Sequence, residues 1–305
     1  MVLKDFRKAE IKVPPIEKQR EISKILKGLD NKIELNHQTN QTLEQIAQVI
    51  FKSWFVDFEP VRAKIKAKRT LIPTLSQRER ELVVERAAMC AISGKTEEQL
   101  KGLDKEALQQ LKTTAALFPD TLVESELGEI PEGWCSSNLG GFIKFANGKS
   151  IKPSEEGQYL VYGANGIIGR ADVTKFSNAV IVGRVGAYCG AVVYSLGDFW
   201  ASDNTIVASS TSNTQMLPYI FYQLQILDLN QYAGGAAQPL LNQTTLKSIE
   251  VVFSSEELIY QFNRLVKGFM EASTSNVIQN NFLEELRDTL LPRLLSGSLE
   301  IEEAA

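Results

Sequence analysis

Two segments of this chain, about residues 6–55 and 246–295, align without gaps under a shift of 240 residues. Lys27 and Gly28 fall on Lys267 and Gly268, Asn36 on Asn276, Asn40 on Asn280, and Leu43-Glu44 on Leu283-Glu284. Apolar positions follow the same rhythm: Ile22 with Phe262, Leu29 with Phe269, Ile50 with Leu290 and Trp54 with Leu294. Such a repeat constrains the fold more than composition does, because each copy has to bury the same face. Each copy opens with a short extended stretch and continues into a long helix. Pro14-Pro15 enforces the extended entry in the first copy, since a residue before proline avoids the helical region. Ser254 or Ser255 supplies an N-cap in the second, ahead of Glu256 and Glu257.

The apolar steps within each helix alternate between three and four residues, as a coiled-coil seam requires. In the first helix the seam reads Leu26, Leu29, Ile33, Asn36, Asn40, Leu43, Ala47, Ile50 and Trp54. In the second it reads Phe262, Leu265, Phe269, Ala272, Asn276, Gln279, Leu283, Leu286 and Leu290. Both are polar in the middle. Asn36 and Asn40 either pair with the matching residues of the other helix, fixing register, or face water. A helix of roughly 35 residues, about 50 Å, acts as a spacer.

The chain carries 33 basic and 37 acidic residues, a net charge of -4. That counts against a strong solitary nucleic-acid binder and leaves room for a locally basic face or a partner bringing positive charge. Cys90, Cys135 and Cys189 are far apart and form no CxxC pair, so neither a disulfide framework nor a zinc site is indicated. The single histidine, His37, sits among polar helix residues, which excludes a multi-histidine metal centre. No signal peptide and no apolar run approaching 18 residues is present, and the expectation is a cytoplasmic protein.

Pro60 ends the first helical pattern. Arg62 to Arg69 then holds five basic residues and no acidic one, either as a solvated linker or as a phosphate or partner contact. Helical runs over Leu71–Ala91 and Gly102–Thr114 follow. The turn signals of Phe118-Pro119 and Gly128 to Gly133 then mark entry into a new domain.

That domain, 134–255, is rich in Gly, Ser, Asn, Val and Tyr. Short strand signals lie at Gln158–Tyr162, Ala179–Val182, Ala191–Tyr194 and Thr205–Ala208, with an amphipathic helix over Leu217–Leu229. The fold class is therefore α+β: one mixed α/β domain flanked by two long helices that form an antiparallel coiled coil. Seven basic and seven acidic residues lie between Gly133 and Phe253, and several basic ones adjoin glycine turns. Lys149 and Lys152 follow Asn147-Gly148, Arg170 follows the loop starting at Gly163, and Arg184 lies between Gly183 and Gly186. Arg and Lys suit guanine and phosphate, Asn and Gln suit adenine. The candidate DNA contacts are Lys149, Lys152, Asn165, Arg170, Arg184, Asn204, Gln238 and Asn242. No phosphate loop, dinucleotide fingerprint or methyltransferase motif is present, and Asp198 and Asp203 lack the Glu-x-Lys of a nuclease. No catalytic, metal or cofactor residue is assigned.

Several motifs carry a family resemblance: Pro14-Pro15-Ile16-Glu17-Lys18-Gln19-Arg20, Ser53-Trp54-Phe55-Val56-Asp57-Phe58, Leu117-Phe118-Pro119-Asp120 and Gly128-Glu129-Ile130-Pro131-Glu132-Gly133-Trp134. Gly235-Ala236-Ala237-Gln238-Pro239-Leu240-Leu241-Asn242 and Leu290-Leu291-Pro292-Arg293-Leu294-Leu295-Ser296-Gly297 complete the set. The chain resembles the specificity subunit of type I restriction-modification systems over nearly its whole length, in a truncated or half-length form with one complete target recognition domain. The resemblance implies the end of a preceding recognition domain at 1–16, spacer helices at 17–58 and 256–297, a helical linker at 59–133, the target recognition domain at 134–255 and a tail at 298–305. It implies binding of double-stranded DNA at a bipartite target, and adenine methylation and restriction by two methylase and further motor-nuclease subunits. S-adenosylmethionine, ATP and magnesium belong to those partners. Two copies of a half-length chain can pair through their helices to restore two readers. The competing reading is a non-catalytic protein–protein scaffold with a coiled-coil spacer.

Overall fold

In the computed structural model, residues 14–72, 74–211, 216–235 and 239–299 are described. They form two compact units, one from residues 14–46 with 268–299 and one from the described residues of 47–267. Helix α1 spans Ile16–Phe55, and the final helix, α9, spans Glu256–Ser296. The extended stretch expected ahead of Pro14-Pro15 falls on residues outside the described ones.

The first unit is the antiparallel pairing of α1 and α9, and its middle is polar as the sequence indicates. Asn36 Nδ2 donates to Asn280 Oδ1 at 2.7 Å and to Gln279 Oε1 at 2.8 Å, and Asn280 Nδ2 donates to the Ile33 carbonyl at 3.3 Å. One turn further, Asn276 Nδ2 donates to Asn40 Oδ1 at 2.8 Å, and Asn40 Nδ2 to the Ser273 carbonyl at 3.2 Å. Arg287 reaches Asp30 at 3.1 Å. The asparagines thus satisfy one another, and the layers exchange under the 240-residue shift: Asn36 matches Asn276 in the repeat and pairs with Asn280, while Asn40 does the converse. The pairing has local two-fold pseudosymmetry, with the same patch used on both helices.

The seam of α9 differs from the sequence reading. Leu265 and Gln279 are exposed, whereas Val266, Met270 and Asn280 are buried. A 3.6-residue helix drifts against a strict seven-residue frame, so assigning the seam one position early exchanges buried and exposed neighbours.

The second unit begins with an aromatic core at the end of α1. Phe51, Trp54 and Phe55 meet Phe262 of α9 at centroid distances of 5.5, 6.0 and 5.4 Å. Trp54 packs edge-on against Phe118 at 5.5 Å, and Trp134 against Phe58 at 5.5 Å. Each such pair adds about 0.5–1.5 kcal/mol beyond burial alone. The Ser53–Phe58, Leu117–Asp120 and Gly128–Trp134 motifs therefore converge on one packing site.

Between these motifs lie α2 (Glu59–Arg69), α3 (Gln77–Ser93), α4 (Glu97–Lys101) and α5 (Lys105–Ala116). The basic run lies on a helix, with Pro60 in its first turn, where a missing N–H costs nothing. Lys64 is buried, donates from Nζ to the Phe118 carbonyl at 2.5 Å and is held below the usual lysine pKa by desolvation, opposed by Asp120. Lys68 pairs with Asp120 at 2.5 Å. Ala88, Met89, Leu100 and Ala115 form a small core of their own.

Strands β1 (Leu122–Ser125) and β2 (Gly128–Pro131) form a hairpin, and β3 (Cys135–Asn138) pairs with β10 (Glu250–Phe253). The short helix α6 (Leu139–Phe142) follows β3. The main sheet contains β4 (Ile143–Asn147), β5 (Tyr159–Gly163), β6 (Gly166–Ala171), β7 (Phe176–Gly183), β8 (Val192–Ala201) and β9 (Thr205–Ser210) in the order β4-β9-β7-β8-β5-β6. Only the β5–β8 pairing is parallel. The β7–β8 register shifts between Ser177 and Ala179, where Asn178 takes φ 45° and accepts the Gly197 N–H at 2.8 Å. Asparagine tolerates this left-handed geometry, and the bulge increases local twist. Ala179, Ile181, Phe199, Ala201, Val207 and Tyr162 close one core. Helix α7 (Leu217–Ile226) packs on the sheet, with Phe221 4.9 Å from Tyr194. Helix α8 (Gln243–Ser248) precedes β10. No helix among the described residues is long and apolar enough to cross a membrane.

Candidate nucleic-acid interface

Strands end in loops here, and backbone hydrogen bonds lock those loops to one another. After β4, Gly148 N donates to the Thr205 carbonyl at 3.0 Å and Lys149 N to the Ala201 carbonyl at 2.8 Å. In the β8–β9 turn, Ser202 N donates to the Tyr162 carbonyl at 2.8 Å, beside the β5–β6 hairpin. After β7, Arg184 N donates to the Asn204 carbonyl at 2.8 Å, and Leu241 N donates back to the Arg184 carbonyl at 2.9 Å. Gly186 N donates to the Pro239 carbonyl at 3.3 Å. Gly183 belongs at this crossing: a Cβ there would overlap the Tyr188 carbonyl and press on that of Ala164.

This network brings Lys149, Asn165, Arg184, Asn204 and Asn242 onto connected loops. Asn165, Asn204 and Lys149 are exposed. Arg184 is half-buried, and its Nε donates to the Leu241 carbonyl at 3.3 Å. That bond orients the guanidinium, whose terminal amino groups meet no partner among the described residues, an arrangement suited to bidentate guanine or phosphate contact. Asn242 is exposed, yet its Oδ1 accepts the Thr245 N–H at 2.8 Å and caps α8. The cap engages the oxygen that a bidentate adenine contact would use.

Lys152 and Arg170 lie elsewhere, Arg170 on the edge strand β6 of the main sheet. Ser154, two residues after Lys152, exchanges backbone hydrogen bonds with Arg170 at 2.8 and 3.0 Å. Arg170 Nη1 also approaches the Gly157 carbonyl at 3.4 Å. Gln238 lies outside the described residues.

Two residues of this region escape the sequence reading. Lys175 N donates to the Phe199 carbonyl at 3.2 Å, two residues along β8 from the anchor of Lys149. Partial desolvation and the neighbouring Lys149 lower its pKa. Its ammonium stands 5.3 Å from the Phe176 ring centroid. Two adjacent ammonium groups repel, and an anion between them relieves that repulsion. The other is Tyr188, exposed on the 3-10 turn Gly186–Tyr188. Glycines at 183, 186 and 190 were the available signal for a tight loop, but its hydrogen-bond partners are distant in sequence. No group of three or more His, Cys, Asp or Glu side chains among the described residues is placed to hold a metal.

The sheet domain, with its interlocked polar loops, is flanked in sequence by the two long helices. The chain belongs to the type I restriction modification DNA specificity domain family, whose pattern it matches over residues 1–45 and 131–255. It is 34% identical to the Type I restriction enzyme HindI specificity subunit of Haemophilus influenzae, over 95% of this chain and 69% of that protein. It is 23% identical to the MjaIX specificity subunit of Methanocaldococcus jannaschii, over 98% of this chain and 62% of that protein. The chain thus spans about two thirds of the length of these curated relatives. The crystal structure of the type I restriction-modification S subunit from M. genitalium shares the fold, with a TM-score of 0.56 and 16% identity over 94% of this chain and 62% of that one.

Proposed function

We propose that this chain is a DNA-reading subunit of a type I restriction-modification complex and recognises one half of a bipartite target. The observation that carries the reading is the hydrogen-bonded loop network that presents Lys149, Asn165, Arg184 and Asn204 together, in a member of a DNA specificity family. Arg184 is assigned a guanine or phosphate contact, Asn165 and Asn204 adenine edges, and Lys149 with Lys175 a backbone phosphate. Lys152 and Arg170 hold a flanking phosphate from the edge strand. A base contact of this kind discriminates by about 1–3 kcal/mol.

Methylation and cleavage belong to partners: two methylase subunits carrying S-adenosylmethionine, and motor-nuclease subunits using ATP and magnesium. A net charge of -4 accords with partners that supply much of the positive charge around the duplex. The helix pair separates two readers. The same repeat shift that exchanges the asparagine layers carries Trp54 and Phe262, beneath the recognition domain, onto Leu294 and Ile22. Those two residues line a groove of about 260 Å³ with Pro14, Pro15 and Leu295. We assign that groove as the seat of a second recognition domain, and a second copy of this chain is a partner that offers one. Two-fold symmetry then yields a palindromic split target.

The test is expression with a cognate methylase in a host lacking other adenine methylases, followed by methylated-base sequencing. A gapped adenine motif supports the reading, and inverted-repeat halves support the second copy. Methylation without a motif, or none despite an assembled complex, rejects the DNA-reading role.

A further inference from the structure

The turn that carries Tyr188 is braced on every side. Gly183 N donates to the Ala191 carbonyl at 2.8 Å and Gly190 N to the Gly183 carbonyl at 2.9 Å, closing the loop at its base. Cys189 N donates to the Gly186 carbonyl at 3.0 Å, and Ala191 N to that of Tyr188 at 3.1 Å. From outside, Val185 bridges Leu240, and Arg184 is held between Asn204 and Leu241. Gly186 takes φ +73°, a conformation that a side chain would strain.

At the tip of this frame Tyr188 is 50% exposed. By contrast, Tyr162, Tyr194, Tyr219 and Tyr222 all pack against other rings. A fixed backbone presenting a large aromatic group loses little entropy on binding, because only two side-chain torsions remain to be ordered. Four residues along the same turn, Arg184 is aimed by its bond to Leu241.

Building on the proposed DNA-reading role, we propose that Tyr188 is a specificity-determining residue whose ring packs on the 5-methyl group of a thymine in the major groove, near the guanine or phosphate contacted by Arg184. An apolar side chain against that methyl distinguishes thymine from cytosine. Tyr188 then reads a position that the hydrogen-bonding residues do not.

The test uses the complex of this chain with its methylase and a duplex carrying the motif mapped for the wild type. Each thymine is replaced in turn by deoxyuridine, which removes only the methyl group. One replacement weakens wild-type binding by about tenfold, leaves Tyr188→Ala unaffected and weakens Tyr188→Phe as in the wild type. Genomic mapping with Tyr188→Ala shows relaxed choice at that same position. A half-site without thymine, or deoxyuridine tolerated by the wild type at every position, overturns the Tyr188 assignment alone. An equal loss in wild type and Tyr188→Ala does so too. A wild-type complex that marks no motif overturns the DNA-reading role, and this assignment with it.

Discussion

Removing the Asn36 side chain tests the polar layer of the helix pair. Asn36 and Asn280 are 2% and 3% exposed, and Asn36 Nδ2 supplies the donor to Asn280 Oδ1 at 2.7 Å. Asn36→Ala leaves that oxygen buried without this donor, a cost of about 1–3 kcal/mol. Gln279 is exposed and turns its freed oxygen to water, so it adds little. Replacing both partners by leucine removes the unpaired group as well as the bond, and the expected net change is within about 1 kcal/mol of wild type. Amide hydrogen exchange across residues 29–36 and 277–284 reports this local stability. For Asn36→Ala a loss near 2 kcal/mol raises exchange by about 30-fold. In Asn36→Leu/Asn280→Leu the rates return toward wild type, at the expense of a less defined register. If the single variant exchanges like the wild type, or the double variant exchanges as fast as the single one, the mutual-satisfaction argument is wrong.

Two other perturbations address the second unit. Burial lowers the pKa of Lys64 below 10.5, so between its folded pKa and 10.5 the unfolded chain binds more protons. Wild-type stability therefore gains on Lys64→Met as pH rises through that window, measured as paired melting curves at pH 7 and pH 10, and a constant difference contradicts the burial argument. Gly183→Ala forces a methyl group onto the Tyr188 carbonyl. Target methylation falls sharply while the aromatic core and its near-ultraviolet signal persist, and unaltered methylation shows that the loop lacks the assigned role.

The helices were legible because a heptad pattern repeated at both ends of the chain is a local signal sustained over many turns. Their pairing followed from the matching asparagines, since buried amides need partners and each helix offers the other a set. Burial around α9 was less legible, because apolar residues occur on both sides of its seam and exposed Leu265 looks the same in sequence as buried Val266. In the basic run, Pro60 marks the break after the first helix and also opens the next one, and nothing local tells that Lys64 will meet the Phe118 carbonyl. The motifs behind the family resemblance are largely packing elements: Trp54, Phe118 and Trp134 meet in one core, and Leu241 pins Arg184. The loops assigned to DNA contact carry weaker signals. Their geometry depends on bonds such as Arg184 to Asn204 and Gly186 to Pro239, between residues that no periodicity connects.

The central claim is that the segment from Trp134 to Phe253 reads the DNA sequence. Exchanging that segment alone for its counterpart in the Haemophilus influenzae relative, and mapping methylated adenines for both parents and the chimera, tests it most directly. The account predicts that target bases change to those read by the donor segment, while the spacing set by the helix pair remains that of this chain. A chimera that methylates the original motif unchanged would contradict it.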